Sequence, residues 1–384
     1  MRLADAHLAY LSTDPGISAA GTKGAAQHVR EISETLARRS RRATLAVARR
    51  DGPEPLPELP LCTPDELLAA VGAPGAAPLD LLVERYALGS TLGRAIVRAS
   101  GARHWLEVNA PLIEEAQVHR GLDAAAAARE REQLRALLAA VDGVLCVSPP
   151  LVRWCLDHGA DPARVHLFPN GFCARRFAAP PPRAAARAAL RLADDAFVAL
   201  FAGGFRPWHD LPTLLDAFEQ LRATHPHARL LLAGDGPERR ALDATRLACL
   251  DVVDLGHVPA RALPAVMAAA DVGLSPNRAR GGDWFCPLKI AEYQAAGLAV
   301  IATEGTGGHA PLDHGTTGLL VREGDAAALA AALRTLADDR AQRLALATAG
   351  QAQALALHSW ERRVDTLEGW LSAPRASVAA GGVA

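Results

Sequence analysis

Short apolar runs alternate with longer helical patterns along most of this chain, and that alternation constrains its fold more than any other feature. LAYLS (8 to 12), ATLAVA (43 to 48), DLLVE (80 to 84), HWLEV (104 to 108), GVLCVS (143 to 148) and RVHLF (164 to 168) have strand length. Between the first two, Ala25, Val29, Ile32 and Leu36 recur at helical spacing. Strands that alternate with helices pair in parallel, because each return crossover covers a face of the sheet. A doubly wound α/β fold is expected. A second series of the same kind runs through FVALFAGG (197 to 204), RLLLAG (229 to 234), DVVDLG (251 to 256), DVGLS (271 to 275), AVIAT (299 to 303) and GLLV (318 to 321).

Between the two series lie Pro180, Pro181 and Pro182, which neither continue a helix nor sit in a central strand. The linker is therefore placed between Cys173 and Arg187. At 384 residues the chain exceeds what one hydrophobic core normally holds, so two domains are expected. The reading assigns 1–180 to an N-terminal domain and 181–358 to a C-terminal domain of similar architecture, the two facing each other. Residues 359–384 are read as a helix crossing back toward the first domain plus a disordered tail, with Trp360 and Trp370 packing a helical end that spans about 339 to 372.

The charge balance, 41 basic against 42 acidic residues, gives no overall positive field of the kind nucleic-acid binders use to collect phosphates. Cys62, Cys146, Cys155, Cys173, Cys249 and Cys286 form no CxxC pair, which argues for reduced thiols rather than a disulfide framework or a structural zinc. The N-terminal apolar run is too short for a signal peptide and no membrane-length apolar stretch follows, so a cytoplasmic location is expected. Arg38, Arg39, Arg41 and Arg42 gather at the end of one helix, which reads as a solvated terminus whose cations suit the dipole, with at most a weak membrane-surface contact as the alternative.

Ligands of open α/β sheets sit beyond the carboxyl ends of the strands, so the loops there carry the chemistry. GTKGAAQHV (21 to 29) offers Gly21 and Gly24 for a tight turn and close approach to a ligand. It is not a GxGxxG fingerprint, and none follows a strand elsewhere, which disfavours an oxidoreductase. GGFRPWHD (203 to 210) places Arg206 and His209 beyond a glycine pair that includes Gly204, a fork and an imidazole suited to a diphosphate, with Asp210 set to cap the next helix. The glycines of GDGPE, from Gly234, read as a plain turn. In the first domain Glu84, Arg85 and Asn109 end strands.

The segment DWFCPLKIAEYQAAG (283 to 297) is the most pointed. A glutamate in an alanine-rich helix is ordinarily solvated. Here Glu292 follows Lys289, which sits in the first turn and can pair with it in the weaker order along a helix. A cation so near a helix N-terminus is unfavourable until an anion meets it. The arrangement suits a phosphate at the helix start and sugar hydroxyls on Glu292.

In this order STDPG, GTKGAAQHVRE, ERYAL, LEVNAPLIEEAQVHRGL, FPNGF, FAGGFRPWHDLPTLLDAF, LAGDGPE, PLKIAEYQAAGLAVIAT and HGTTGLLV resemble segments of the retaining glycosyltransferases of family 4. The resemblance covers nearly the whole chain. It implies the GT-B fold of two Rossmann-like domains and transfer of a sugar from a nucleotide-diphosphate sugar, a co-substrate and not a resident cofactor, to an acceptor hydroxyl without a metal. The acceptor, a small molecule, glycan or lipid-linked molecule, is implied on the N-terminal domain and the donor on the C-terminal one.

On that resemblance Glu292 binds the donor ribose, Arg206 the diphosphate, and His209 stands where the family commonly has a lysine. Gly21, Gly24, Gly204 and Gly234 bring loops against the donor, Phe285, Pro287, Leu288 and Lys289 lie at the phosphate-facing helix start, and Val258 sits near the nucleobase. Asn109, Arg206, His209 and Lys289 form the implied catalytic set. Trp284 stands eight residues before Glu292, where the family usually has a second glutamate, and Asn109 stands where many members keep a histidine. These two departures keep open a second reading, a catalytically impaired nucleotide-sugar-binding or regulatory protein.

Overall fold

The structure, a computed structural model, describes residues 1–278, 284, 286–305 and 312–372. Among them the chain divides into two units. The first comprises Met1–Gly21, Val29–Phe168 and Arg363 to Ser372; the second comprises Thr22–His28 and Pro169–Arg362.

In the first unit β1 (His7–Ser12), β2 (Arg42–Val47), β3 (Leu61–Cys62), β4 (Leu81–Arg85), β5 (Arg103–Val108), β6 (Gly143–Cys146) and β7 (Val165–Leu167) form a parallel sheet in the order β3-β2-β1-β4-β5-β6-β7. In the second, β8 (Val198–Ala202), β9 (Arg229–Ala233), β10 (Val252–Gly256), β11 (Val272–Ser275), β12 (Ala299–Thr303) and β13 (Leu319–Val321) form another in the order β10-β9-β8-β11-β12-β13. Both units are doubly wound parallel α/β, as the alternation of runs requires. The strand runs are continuously apolar because both faces are covered. Val198, Leu200 and Ala202 of β8 enter one core, while Ala199 and Phe201 enter the other.

Two local features differ from the sequence reading. The two-residue strand β3 leaves too short a run to show a period. The single helix expected over 339 to 372 is two, Arg340–Leu357 and Trp360–Ser372. The break falls where Phe172 bridges Ser359, accepting from the Trp360 N–H (3.0 Å) and donating to the His358 carbonyl (3.1 Å). These bonds take backbone groups that a continuous helix would use for itself. Trp360 is buried in the second unit, meeting His28 edge-on at 4.9 Å; in the first unit Trp370 stacks on His166 at 4.3 Å. Among the described residues no helix is long and apolar enough to cross a membrane.

Candidate functional site

Each sheet reverses its strand order once, at β1/β4 and at β8/β11. Loops leaving neighbouring strands at such a point diverge and open a crevice at the carboxyl ends. In the second unit the described parts there are the loop 203–210, after β8, and the start of the helix Leu288–Ala295, the next described helix after β11.

Lys289, one of only two lysines in the chain, lies in the first turn of that helix and is buried. Its Nζ stands 4.3 Å from the centre of the Phe201 ring and has no hydrogen-bond partner among the described residues. Burial pushes the amine down from 10.5 to about 7, and the nearby Glu292 charge offsets this only in part. No side chain caps the helix start at Pro287.

His209 is half-buried, meets Phe201 edge-on at 5.5 Å and, in its neutral form, donates from Nδ1 to the Gly204 carbonyl. Burial first, then the Lys289 charge, hold its pKa well below the usual imidazole value, and Arg206 adds to the effect. Arg206 is also half-buried and makes no ion pair among the described residues. Three basic side chains thus converge, and the charges of Lys289 and Arg206 both disfavour a proton on His209. An anion arriving there relieves that repulsion.

Glycines make this convergence possible. A Cβ on Gly203, whose φ is +148°, would lie 3.1 Å from Lys289 Nζ. A Cβ on Gly234 would lie 1.9 Å from the Gly203 carbonyl oxygen, so the GDGPE loop is more than a plain turn: its first glycine lets β9 pass close beneath the loop after β8. Gly234→Ala is expected to destabilise the protein by about 3 kcal/mol through overpacking, measured by chemical denaturation. Gly204 and Gly24 are under no such constraint. A Cβ on Gly24 would meet Leu288 Cδ1 at 3.8 Å, an ordinary contact, so the close approach expected of Gly24 is not required by the protein itself.

Two expectations are corrected. Lys289 does not hydrogen-bond Glu292, because its Nζ lies over the Phe201 ring while Glu292 Oε1 accepts from Gln27 Nε2 (2.7 Å) and from Arg176 Nη2. Asp210 does not cap the following helix; it adopts a left-handed conformation (φ 42°) and pairs with Arg278 at 2.8 Å. At the basic helix end Arg38, Arg41 and Arg42 are exposed, as a solvated terminus requires, while Arg39 also pairs with Asp365 (2.7 Å) and Glu368 (3.3 Å).

Arg206, His209, Gly204 and Lys289 come together, with Gly234 supporting them. Pro287 and Leu288 open the helix, and Glu292 lies one turn beyond Lys289 in it. Val258 packs at the edge of the core. Gly21 and Asn109 belong to the first unit, where the buried Asn109 Oδ1 has no hydrogen-bond partner among the described residues. Glu84, at its strand end, is buried against His104 Nε2 at 2.8 Å. Phe285 and Asp283 lie outside the described residues. Sequence reasoning missed Gln27 and Arg176, the partners of Glu292. The only signal for them was that a buried carboxylate needs donors.

Residues 196–339 match the family model described as glycosyl transferases group 1. A Corynebacterium glutamicum protein named GDP-mannose-dependent monoacylated alpha-(1-6)-phosphatidylinositol monomannoside mannosyltransferase is 33% identical over 243 residues, covering 60% of this chain and 62% of that protein. A D-inositol 3-phosphate glycosyltransferase from Geodermatophilus obscurus is 32% identical over 296 residues, covering 70% of this chain and 63% of that protein. The chain thus spans less than two thirds of the length of these relatives. Among solved structures, Anabaena HepE in complex with UDP and glucose superposes with a TM-score of 0.72 at 18% identity, over 96% of this chain and 100% of that one.

Proposed function

The chain carries a glycosyl transferases group 1 domain on a GT-B fold, and on that premise we propose that it is a cytoplasmic, metal-independent, retaining glycosyltransferase. It moves a sugar from a nucleotide-diphosphate sugar to an acceptor hydroxyl. The carrying observation is the buried Lys289 amine, which has no hydrogen-bond partner among the described residues and lies beside His209 against Gly203, at the carboxyl end of β8.

In this reading the C-terminal domain holds the donor. Lys289, Arg206 and His209 face the diphosphate, joined by the backbone N–H groups of Leu288 and Lys289, which follow Pro287 where the helix begins. Charge develops on the leaving oxygens as the glycosidic bond breaks, and donors fixed in advance stabilise it without reorganising. Glu292 accepts the ribose hydroxyls, with Gly24 near the phosphates and Val258 near the base. The acceptor belongs to the N-terminal domain, toward Asn109 and Gly21. Its hydroxyl attacks from the face the diphosphate leaves, and the departing phosphate takes its proton, so the anomeric configuration is kept. The relatives' names support trying inositol phosphates and phosphatidylinositol glycosides as acceptors.

Arg206→Ala is expected to lower kcat/KM by about 10²–10³-fold, roughly 3–4 kcal/mol, with an unchanged melting curve. The reading itself is tested by incubating the protein with a panel of nucleotide sugars and such acceptors and assigning product anomers by NMR. A product with the donor's anomeric configuration supports it, and an inverted product refutes retention. Trp284 in place of the usual carboxylate and Asn109 in place of the histidine are the observations behind the alternative of an impaired nucleotide-sugar-binding or regulatory protein. Binding without any transfer across the panel would favour that alternative.

A further inference from the structure

Glu292 is held by two partners that the reaction above does not use. Arg176, in the turn Ala174–Phe177, and Gln27, in the first turn of the helix Gly24–Arg39, both donate to the same oxygen, Oε1. Oε2 has no hydrogen-bond partner among the described residues. The arrangement is rigid on the arginine side. The Arg176 guanidinium carbon lies 5.3 Å from the centre of the Phe177 ring, Phe177 meets Phe172 edge-on at 5.7 Å, and Phe172 is hydrogen-bonded to His358 and Trp360. The pair is largely enclosed, with side chains 14% and 5% exposed. A buried ion pair contributes little over well-packed apolar residues, so its presence is better explained by what it orients than by stability.

We propose that Arg176 is a positioning residue for nucleotide recognition: by fixing Oε1 it presents Oε2 of Glu292 to the ribose hydroxyls, while Gln27, a neutral and weaker donor, gives up its bond when the second hydroxyl arrives. This rests on the nucleotide-sugar reading of the same site. It separates two jobs within one crevice, with the phosphates read by Lys289, Arg206 and His209 and the ribose read by a carboxylate that Arg176 aims.

The test is a titration of the full chain with UDP, GDP and ADP, with the 2′-deoxy counterpart of the best binder, and with inorganic pyrophosphate. The wild type is expected to prefer the ribonucleotide by about tenfold or more. Arg176→Leu should bind the ribonucleotide about tenfold more weakly, with its preference over the deoxynucleotide reduced to about twofold. Pyrophosphate affinity should be unchanged, and Arg176→Lys should recover part of the preference. Arg176→Gln, which can still donate to Oε1, keeps the measurement open if the leucine variant does not fold, and should show an intermediate preference. A wild-type preference in these variants, or an equal loss for pyrophosphate, overturns the inference alone. Absence of nucleotide binding by the wild type overturns it together with the proposed function.

Discussion

Lys289→Met is expected to lower sugar transfer by about 10²–10³-fold and at the same time to raise the melting temperature. The two effects have one cause. The amine is buried over Phe201 without a hydrogen-bond partner among the described residues, so the folded protein bears the cost of desolvating it until an anion arrives. Methionine fills a similar volume with no charge to desolvate. The pH dependence fixes the sign. The unfolded lysine keeps its proton up to 10.5, whereas the folded one loses it near 7. Between those values the unfolded chain binds more protons, so wild-type stability should rise with pH, by at most about 1.4 kcal/mol per pH unit. Denaturation at several pH values from 6.5 to 10 should show that rise in the wild type and lose its lysine contribution in the variant. A bound diphosphate restores the lysine charge, so nucleotide binding above pH 7 should take up a proton. Calorimetry in buffers of different ionisation enthalpy would measure it.

Glu292→Ala is expected to be as severe for a different reason. It removes the acceptor of the ribose hydroxyls, each such bond to a charged group contributing about 1.5–3 kcal/mol, so nucleotide affinity should fall by about 10²-fold or more. It also deprives the enclosed Arg176 of its carboxylate, which should destabilise the fold by about 3 kcal/mol. Glu292→Gln separates the two, because the amide oxygen can still accept from Arg176 without the charge. Calorimetric titration and denaturation of both variants, side by side, check the prediction. Near-native affinity in Glu292→Ala would remove this residue from the site.

The fold was legible because parallel strands buried on both faces are written as unbroken apolar runs. FVALFA and AVIAT could hardly be anything else between helical patterns. The loops were legible through residue type, since arginine, histidine and lysine beside glycines at strand ends have few structural reasons to be there. Pairing between distant residues was not. Lys289 and Glu292 are three apart and invite a local pair, yet tertiary packing gives Glu292 to Arg176, 116 positions earlier in the chain. Likewise Asp210 reads as a helix cap from its neighbours alone, and only the fold brings Arg278 to it. The Gly234 requirement was hidden for the same reason, since what a Cβ would strike is the Gly203 carbonyl on another strand's loop.

Thermal unfolding in the presence of UDP, GDP, ADP and dTDP is the most direct measurement of whether the crevice after β8 and β11 is built for a nucleoside diphosphate. A ligand that binds only the native state raises its melting temperature by mass action. At least one of the four should stabilise the wild type by several degrees at a hundredfold excess over its dissociation constant, about 2.7 kcal/mol, and the increase should vanish in Arg206→Ala. No shift with any of the four, or an equal shift in that variant, would contradict the account.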